Sequence, residues 1–384
     1  MSLALIPLLC IGIAIVGCVY TLAALYAVRG FRRGARAIPA CAAASVTVLK
    51  PLHGLEAGLY ENLVSFVDQD HGGPVQIVFG LADANDPARS VVQRLMRDFP
   101  DHDLELVVGF RHVEGNGKVA NLNAMRVTIA HDVVVLSDSD IRVERSYLRE
   151  ICDALAEPGV GLVTCLYRGG SNRDLWSRLS SMAIDFHFVP SVLLGVRLAK
   201  ARPCMGATMA FSARTLETIG GFGAFVGHLA DDYAIGEAVR ASGQRVVVAS
   251  HVVEHRCNER SACDLFLHEL RWARTIRSID PLGFAGSVIA HPLPFALAGL
   301  LAGSHEILAL VTLLATLVCR GLLEWQVERT MGVSTARWLL GPLRDLLSFV
   351  VFCASFVTDV VVWRGRRYRV RADGTMEELG GLTS

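Results

Sequence analysis

The sequence predicts an α/β chain. A mostly parallel sheet with helices on both faces is held at a membrane by one apolar helix near the N-terminus and two to three toward the C-terminus. Three observations carry this. β-rich runs alternate with helical stretches between residues 45 and 250. Acidic residues follow several of those runs directly. And 52% of the 384 residues are hydrophobic, with a mean hydropathy of +0.41, more than a soluble domain usually carries.

In chain order, residues 3–28 run without a charge, longer than the roughly 20 residues that span a bilayer. A cleaved signal peptide is the rival reading. It needs a positive segment ahead of the apolar run, whereas Arg29, Arg32, Arg33 and Arg36 come after it. An uncleaved anchor over 1–30 is expected, with the following residues on the cytoplasmic side. Next come SVTVL at 45, a helix near 59–68, VQIVFGL at 75, a helix at 87–98, LELVVG at 104, a helix at 118–130 and DVVVL at 132. GVGLVTCLY at 159, a long helical segment over 172–198, TMAFSA at 208 and RVVVAS at 245 complete one soluble domain, residues 40–280.

Residues 281–365 are expected to be membrane helices and 366–384 a basic tail. The first apolar region, 282–319, is broken at His291-Pro292 and at Gly303 to Glu306, as in two helices joined by a polar turn; another lies over 345–363. Three crossings would place the basic tail outside, against the positive-inside rule. One of them is therefore expected to be interfacial or re-entrant, and Arg344-Asp345 mark the last.

Balanced charge, 37 basic and 37 acidic residues, gives no basic face for nucleic acid. The ten cysteines contain no C-x-x-C pair, which fits a reduced setting. His251, His255, Cys257, Cys263 and His268 crowd together but match no structural zinc spacing.

The chemistry is expected at three acidic stations and one basic motif. In an open α/β sheet, ligands bind beyond the carboxyl ends of the strands. Asp83 in LADANDPA and Asp138-Ser139-Asp140 closing DVVVLSDSD both stand there. Asp138 and Asp140 offer hard oxygen ligands for Mg2+ or Mn2+ on a diphosphate, although such a pair also occurs as a solvated turn. Asp83 would accept hydrogen bonds from a nucleoside. Gly115-Asn116-Gly117-Lys118 is no Walker loop, since Val119 follows the lysine; Lys118 is a point charge for a diphosphate. Asp231-Asp232 open a helix, where the dipole alone would favour acids; Asp232 is the chosen general base, flanked by Asp231. In HELRWAR, Arg271 would grip a diphosphate bidentately and Trp272 would wall an acceptor pocket. The bland reading of that pair is a surface arginine and an interfacial tryptophan.

The ordered series KPLHG, ADANDPA, SDSDIRV, LADDY, HELRWAR and WRGRRYRV resembles the ceramide glucosyltransferase group of inverting glycosyltransferases with the GT-A fold. Within it, HELRWARTIRSIDPLG and GVGLVTCLYRG are similar to bacterial hopanoid-biosynthesis glycosyltransferases. The resemblance implies a UDP-sugar donor, a divalent metal and a lipid alcohol acceptor, hopanoid or ceramide, taken at the cytoplasmic face of a bacterial inner membrane. It places the family's first Asp on Asp83, its second on Asp138, its base on Asp232 and its Arg-Trp pair on Arg271 and Trp272. His268 stands where the broader family has Gln or Arg; it is assigned to the donor side with its task open. Transfer of N-acetylglucosamine to a hopanoid leads, ahead of glucosyl transfer to ceramide. A processive polysaccharide synthase or a non-catalytic membrane scaffold follows.

Overall fold

The computed structural model describes residues 5–31, 44–109, 115–171, 174–303, 305–334, 339–363, 366–371 and 374–381. Arg32, Arg33 and Arg36, used above to orient the first span, lie outside them.

Among the described residues, eleven strands are arranged in two sheets: β1 Val46–Leu52, β2 Val75–Leu81, β3 Asp103–Val108, β4 Val133–Leu136, β5 Ile141–Arg142, β6 Val160–Ser171, β7 Met209–Ser212, β8 Arg245–Cys257, β9 Val360–Trp363, β10 Arg366–Val370 and β11 Met376–Gly381. The large sheet runs β3-β2-β1-β4-β7-β6-β8-β5. β1 to β4 are parallel, as are β6 and β8. β7 and β5 are reversed. Apolar β-branched runs such as VTVLKPL are buried along their whole length, as strands covered on both faces must be.

Helices α1 Leu5–Gly30, α2 Leu59–Val67, α3 Ala88–Asp98, α4 Gly117–Met125, α5 Tyr147–Leu155, α6 Leu175–Ala183 and α7 Val189–Arg197 belong to the first half. The second half holds α8 Ala213–Thr218, α9 Asp231–Ala241, α10 Ala262–Ile279, α11 Pro281–Gly286, α12 Pro292–Leu301, α13 Glu306–Met331 and α14 Leu340–Ser355. Strand alternation divides the domain core. Val46, Val48 and Leu52 of β1 pack with α2, α3 and α5, whereas Leu49 points to the face of α4 and α9.

α1, the stretch Leu175–Arg197 and α13 are each long and apolar enough to cross a membrane, and this is a membrane protein. α11 and α12 form a pair bent by 58°. α1 packs closely on α12: a Cβ on Gly17 would lie 2.7 Å from that of Pro292, the small-residue contact that lets membrane helices approach.

The chain leaves the domain at Asp280 and returns to it. Arg274 donates to the Val360 carbonyl at 2.7 Å and Arg277 pairs with Asp359. In the small sheet β9-β10-β11, Met376 N–H donates to Gly227 O at 2.9 Å, and Val361, Val370 and Leu229 share a small core. The strands that follow Asp359 therefore lie against the domain. Between residues 280 and 360, the bent pair and α13 are the segments long and apolar enough to cross a membrane. α14, of 16 residues, packs against α10 and α6 instead. The apolar run expected to continue as helix to 363 turns into strand at Val360, where three consecutive valines favour the extended backbone.

Candidate functional site

Asp138 leaves β4 two residues after Leu136, and Asp83 leaves β2 two residues after Leu81, on either side of β1. Both stand beyond the carboxyl ends of their strands. Lys118, in the first turn of α4, reaches Asp138 Oδ1 at 2.6 Å and Asp231 Oδ2 at 3.5 Å. Burial opposes its charge, but Asp138, Asp231 and Asp232 outweigh that and raise its pKa. Asn116 caps the same helix, its side chain accepting from Lys118 N–H, and its Nδ2 donates to Asp231 Oδ1 at 3.2 Å. The glycine-rich loop thereby ties two of the acidic stations together.

Asp232, beside the buried Asp231, accepts from Gly206 N–H at 2.9 Å and from its neighbour Tyr233 N–H at 2.8 Å. Burial and then the charge of Asp231 push its carboxyl up to about 6. Gly206 stands at the centre: a Cβ there would lie 3.1 Å from Lys118 Nζ, 3.2 Å from Asp138 Oδ2 and 3.5 Å from Asp232 Oδ2. Even a methyl group there would press on Lys118 and Asp138, which would have to give by a few tenths of an ångström.

Asp140 pairs with His255 Nε2 at 3.2 Å. β5 lies antiparallel to β8 with Ile141 opposite His255, which puts the imidazole beside the carboxylate. Burial opposes ionisation of Asp140, yet His255 holds its carboxyl down to about 2, and the imidazole is raised in turn. Ser139 Oγ donates to Glu56 at 3.0 Å. Burial and the charge of Asp140 push Glu56 up to about 7. Beneath them Lys50 donates to the Asp138 carbonyl, and burial pulls its ammonium down to about 7.

A divalent cation fits this corner by one observation: Asp140 Oδ1 is buried and has no hydrogen-bond partner, an arrangement costly to leave without a ligand. Among the described residues, no three His, Cys, Asp or Glu side chains form a ready-made metal cluster. Further oxygen ligands would have to come from a donor diphosphate.

On α10, His268 Nδ1 pairs with the buried Glu259, and its ring meets that of Trp272 edge-on at 4.6 Å. Trp272 also meets the His255 ring at 5.8 Å, so the motif helix stands against the Asp140 corner. Arg271, half-buried, lies on the same turn. Glu269 points the other way, to Arg344 of α14.

The expected residues divide accordingly. Asp138, Asp140, Asp231, Asp232, Lys118, His268 and Trp272 converge. Asp83 is exposed, and its carboxylate accepts from Asn85 N–H of its own turn. Sequence reasoning passed over Gly206, Glu56, Glu259 and the pairing of His255 with Asp140. Only His255 had a local signal, the His/Cys crowding dismissed as zinc.

A family model described as Glycosyl transferase family 21 matches residues 9–376. Ceramide glucosyltransferase 3 of Caenorhabditis elegans is 23% identical over 351 residues, 86% of this chain and 73% of that protein. Ceramide glucosyltransferase 1 of the same organism is 23% identical over 270 residues, 69% of this chain and 56% of that protein. Among solved structures, a mannosyltransferase from Pyrobaculum calidifontis in complex with GDP-Man and Mn2+ is similar with a TM-score of 0.51, at 20% identity, over 91% of this chain and 99% of that one. At that identity the likeness speaks for the fold, and the GT-A-like α/β architecture with N-terminal and C-terminal apolar helices is the one expected above.

Proposed function

Because the chain belongs to glycosyl transferase family 21, and is therefore a sugar-transferring enzyme, we propose that it moves a sugar from a UDP donor to a lipid hydroxyl by single inverting displacement. The observation that carries the mechanism is Asp232. Its carboxyl is fixed by two backbone N–H groups beside Lys118 and Asp138, and burial raises it to about 6. A carboxylate so tuned is ionised near neutrality yet basic enough to take a proton from the attacking hydroxyl. As the acceptor oxygen bonds the anomeric carbon, the bond to the diphosphate breaks and the proton passes to Asp232.

Lys118 and Arg271 would bind the leaving diphosphate and Asp83 the nucleoside. Asp138 and Asp140 would hold Mg2+ or Mn2+, with His255 fixing Asp140. When bound, the cation neutralises charge on the leaving group. His268, oriented by Glu259, stands on the donor side.

The acceptor is proposed to be a hopanoid such as bacteriohopanetetrol and the sugar N-acetylglucosamine, supported by the similarity of GVGLVTCLYRG and HELRWARTIRSIDPLG to hopanoid enzymes. UDP-glucose with ceramide is the alternative, favoured by the names of the relatives. The site would face the cytoplasm of a bacterial cell, where nucleotide sugars are made, across its inner membrane. The test is a screen of both donors against both acceptors with detergent-solubilised protein, the product identified by mass spectrometry. A β-linked product supports inversion; an α-linked one, or donor binding without transfer to any lipid, refutes the reading.

A further inference from the structure

The phrase GVGLVTCLYRG contains a tyrosine to which nothing above gives a task. Tyr167 lies on β6 in register with Val253 of β8. Its ring stacks on Phe188 at 4.7 Å with 24° between the planes. It also meets Trp272 at 6.4 Å, edge-on, and His255 at 5.7 Å. It is thus a shared wall of the Asp140 corner and the motif helix. Burial raises its phenol, and the charges of Asp232, Asp140 and Asp138 add to this, so the hydroxyl stays neutral at any working pH. A neutral phenol can donate to, or accept from, a substrate hydroxyl.

What supports Tyr167 is unusual. The apolar stretch Leu175–Arg197 is hydrophobic enough to cross a membrane, yet 56% of its most apolar window is buried in the protein. It is interrupted by a π-turn, Ile184–Phe188. Such widened turns are frequent at functional sites. Arg320 of α13 donates to the Phe186 carbonyl of this turn at 3.3 Å. Thus a residue of a membrane-crossing helix holds the turn that places Phe188 under Tyr167. Further along, Val196 and Leu198 remain exposed, at 40% and 59%, so the far end of this stretch presents apolar surface.

We infer that Tyr167, backed by Phe188 and walled by Trp272, forms the subsite for the hydroxylated head of a membrane lipid acceptor, its phenol orienting the reacting hydroxyl toward Asp232. This rests on Asp232 as the base. In the step, the acceptor proton goes to Asp232 and the phenol keeps its own; Tyr167 positions the acceptor and exchanges no proton. The lipid tail leaves along Leu175–Arg197, which makes the acceptor an amphiphile that never quits the membrane.

The test uses the full chain in detergent, with UDP-N-acetylglucosamine and bacteriohopanetetrol in one arm and UDP-glucose and ceramide in the other. Tyr167→Phe keeps the ring stack and removes the hydroxyl. One lost hydrogen bond predicts a fall of about tenfold in kcat/KM for the lipid, with UDP-sugar affinity within about twofold of wild type. Phe188→Leu, which leaves the phenol in place, raises the acceptor KM in the same direction. Wild-type kinetics in both variants, or a donor affinity weakened in step with transfer, overturns the subsite. Wild-type protein that binds donor and transfers to neither lipid instead overturns the mechanism on which the subsite rests.

Discussion

Arg344 grips Glu269 through two hydrogen bonds of 2.7 Å each, and its own side chain is only 1% exposed. The adjacent residue on α14, Asp345, holds Arg320 of α13 in the same bidentate way, at 2.6 and 2.9 Å. Glu269 shares α10 with His268, Arg271 and Trp272. Two neighbouring residues near the start of α14 therefore tie α13 to the motif helix α10. Removing one partner of a buried pair strands the other charge and costs about 3–5 kcal/mol, whereas replacing both by apolar groups is often nearly neutral. Arg344→Met should lower the thermal midpoint markedly and weaken turnover, and Arg344→Met with Glu269→Leu should recover most of the stability. A single variant as stable as wild type would count against the tie.

The free enzyme should show a rising acid limb in kcat/KM. Asp232 acts as a base only when ionised, and its carboxyl is pushed up to about 6. Activity is then lost as pH falls through that value and is full above it. Asp231→Asn removes the neighbouring negative charge and should move the limb to lower pH. The check is a pH profile from about pH 5 to pH 8; a flat profile refutes the tuning.

Asp232→Asn keeps the shape of the side chain and removes its basicity. Turnover should fall about 100- to 10,000-fold, while UDP-donor affinity measured by calorimetry stays near normal. Near-normal turnover in Asp232→Asn with a dead Asp231→Asn would assign the base to the neighbouring acid.

Chelation should abolish transfer, and Mg2+ or Mn2+ should restore it. Asp138→Ala should be at least as damaging as Asp140→Ala, since Asp138 also anchors Lys118 at 2.6 Å. Full activity in chelator would remove the cation from the mechanism.

Much of the catalytic domain was legible because its signals are local. Buried strands such as Val75–Leu81 and Val133–Leu136 are contiguous runs rich in β-branched residues, and the acids that follow them, Asp83 and Asp138, can be counted off the sequence. What was not legible depends on partners far apart in the chain. His255 meets Asp140 only because β5 lies beside β8. Glu56 reaches Ser139 across 83 residues, and Gly206 is special only once Lys118, Asp138 and Asp232 surround it. The number of crossings was left open by the sequence for a related reason. Arg344 and Asp345 do mark the odd helix, but their partners on α10 and α13 show why charges can sit there.

The small sheet adds an ordering in time. The Gly227-to-Leu229 backbone just before Asp231 is closed by residues of β11 and the turn at Gly374, which follow both α12 and α13 in the chain. A ribosome working at roughly 5–20 residues per second makes that loop many seconds before the strand that completes it, with the apolar helices α12 and α13 made in between. The backbone that leads into Asp231 and Asp232 is thus among the last parts of the domain to be closed, after the C-terminal apolar helices have emerged.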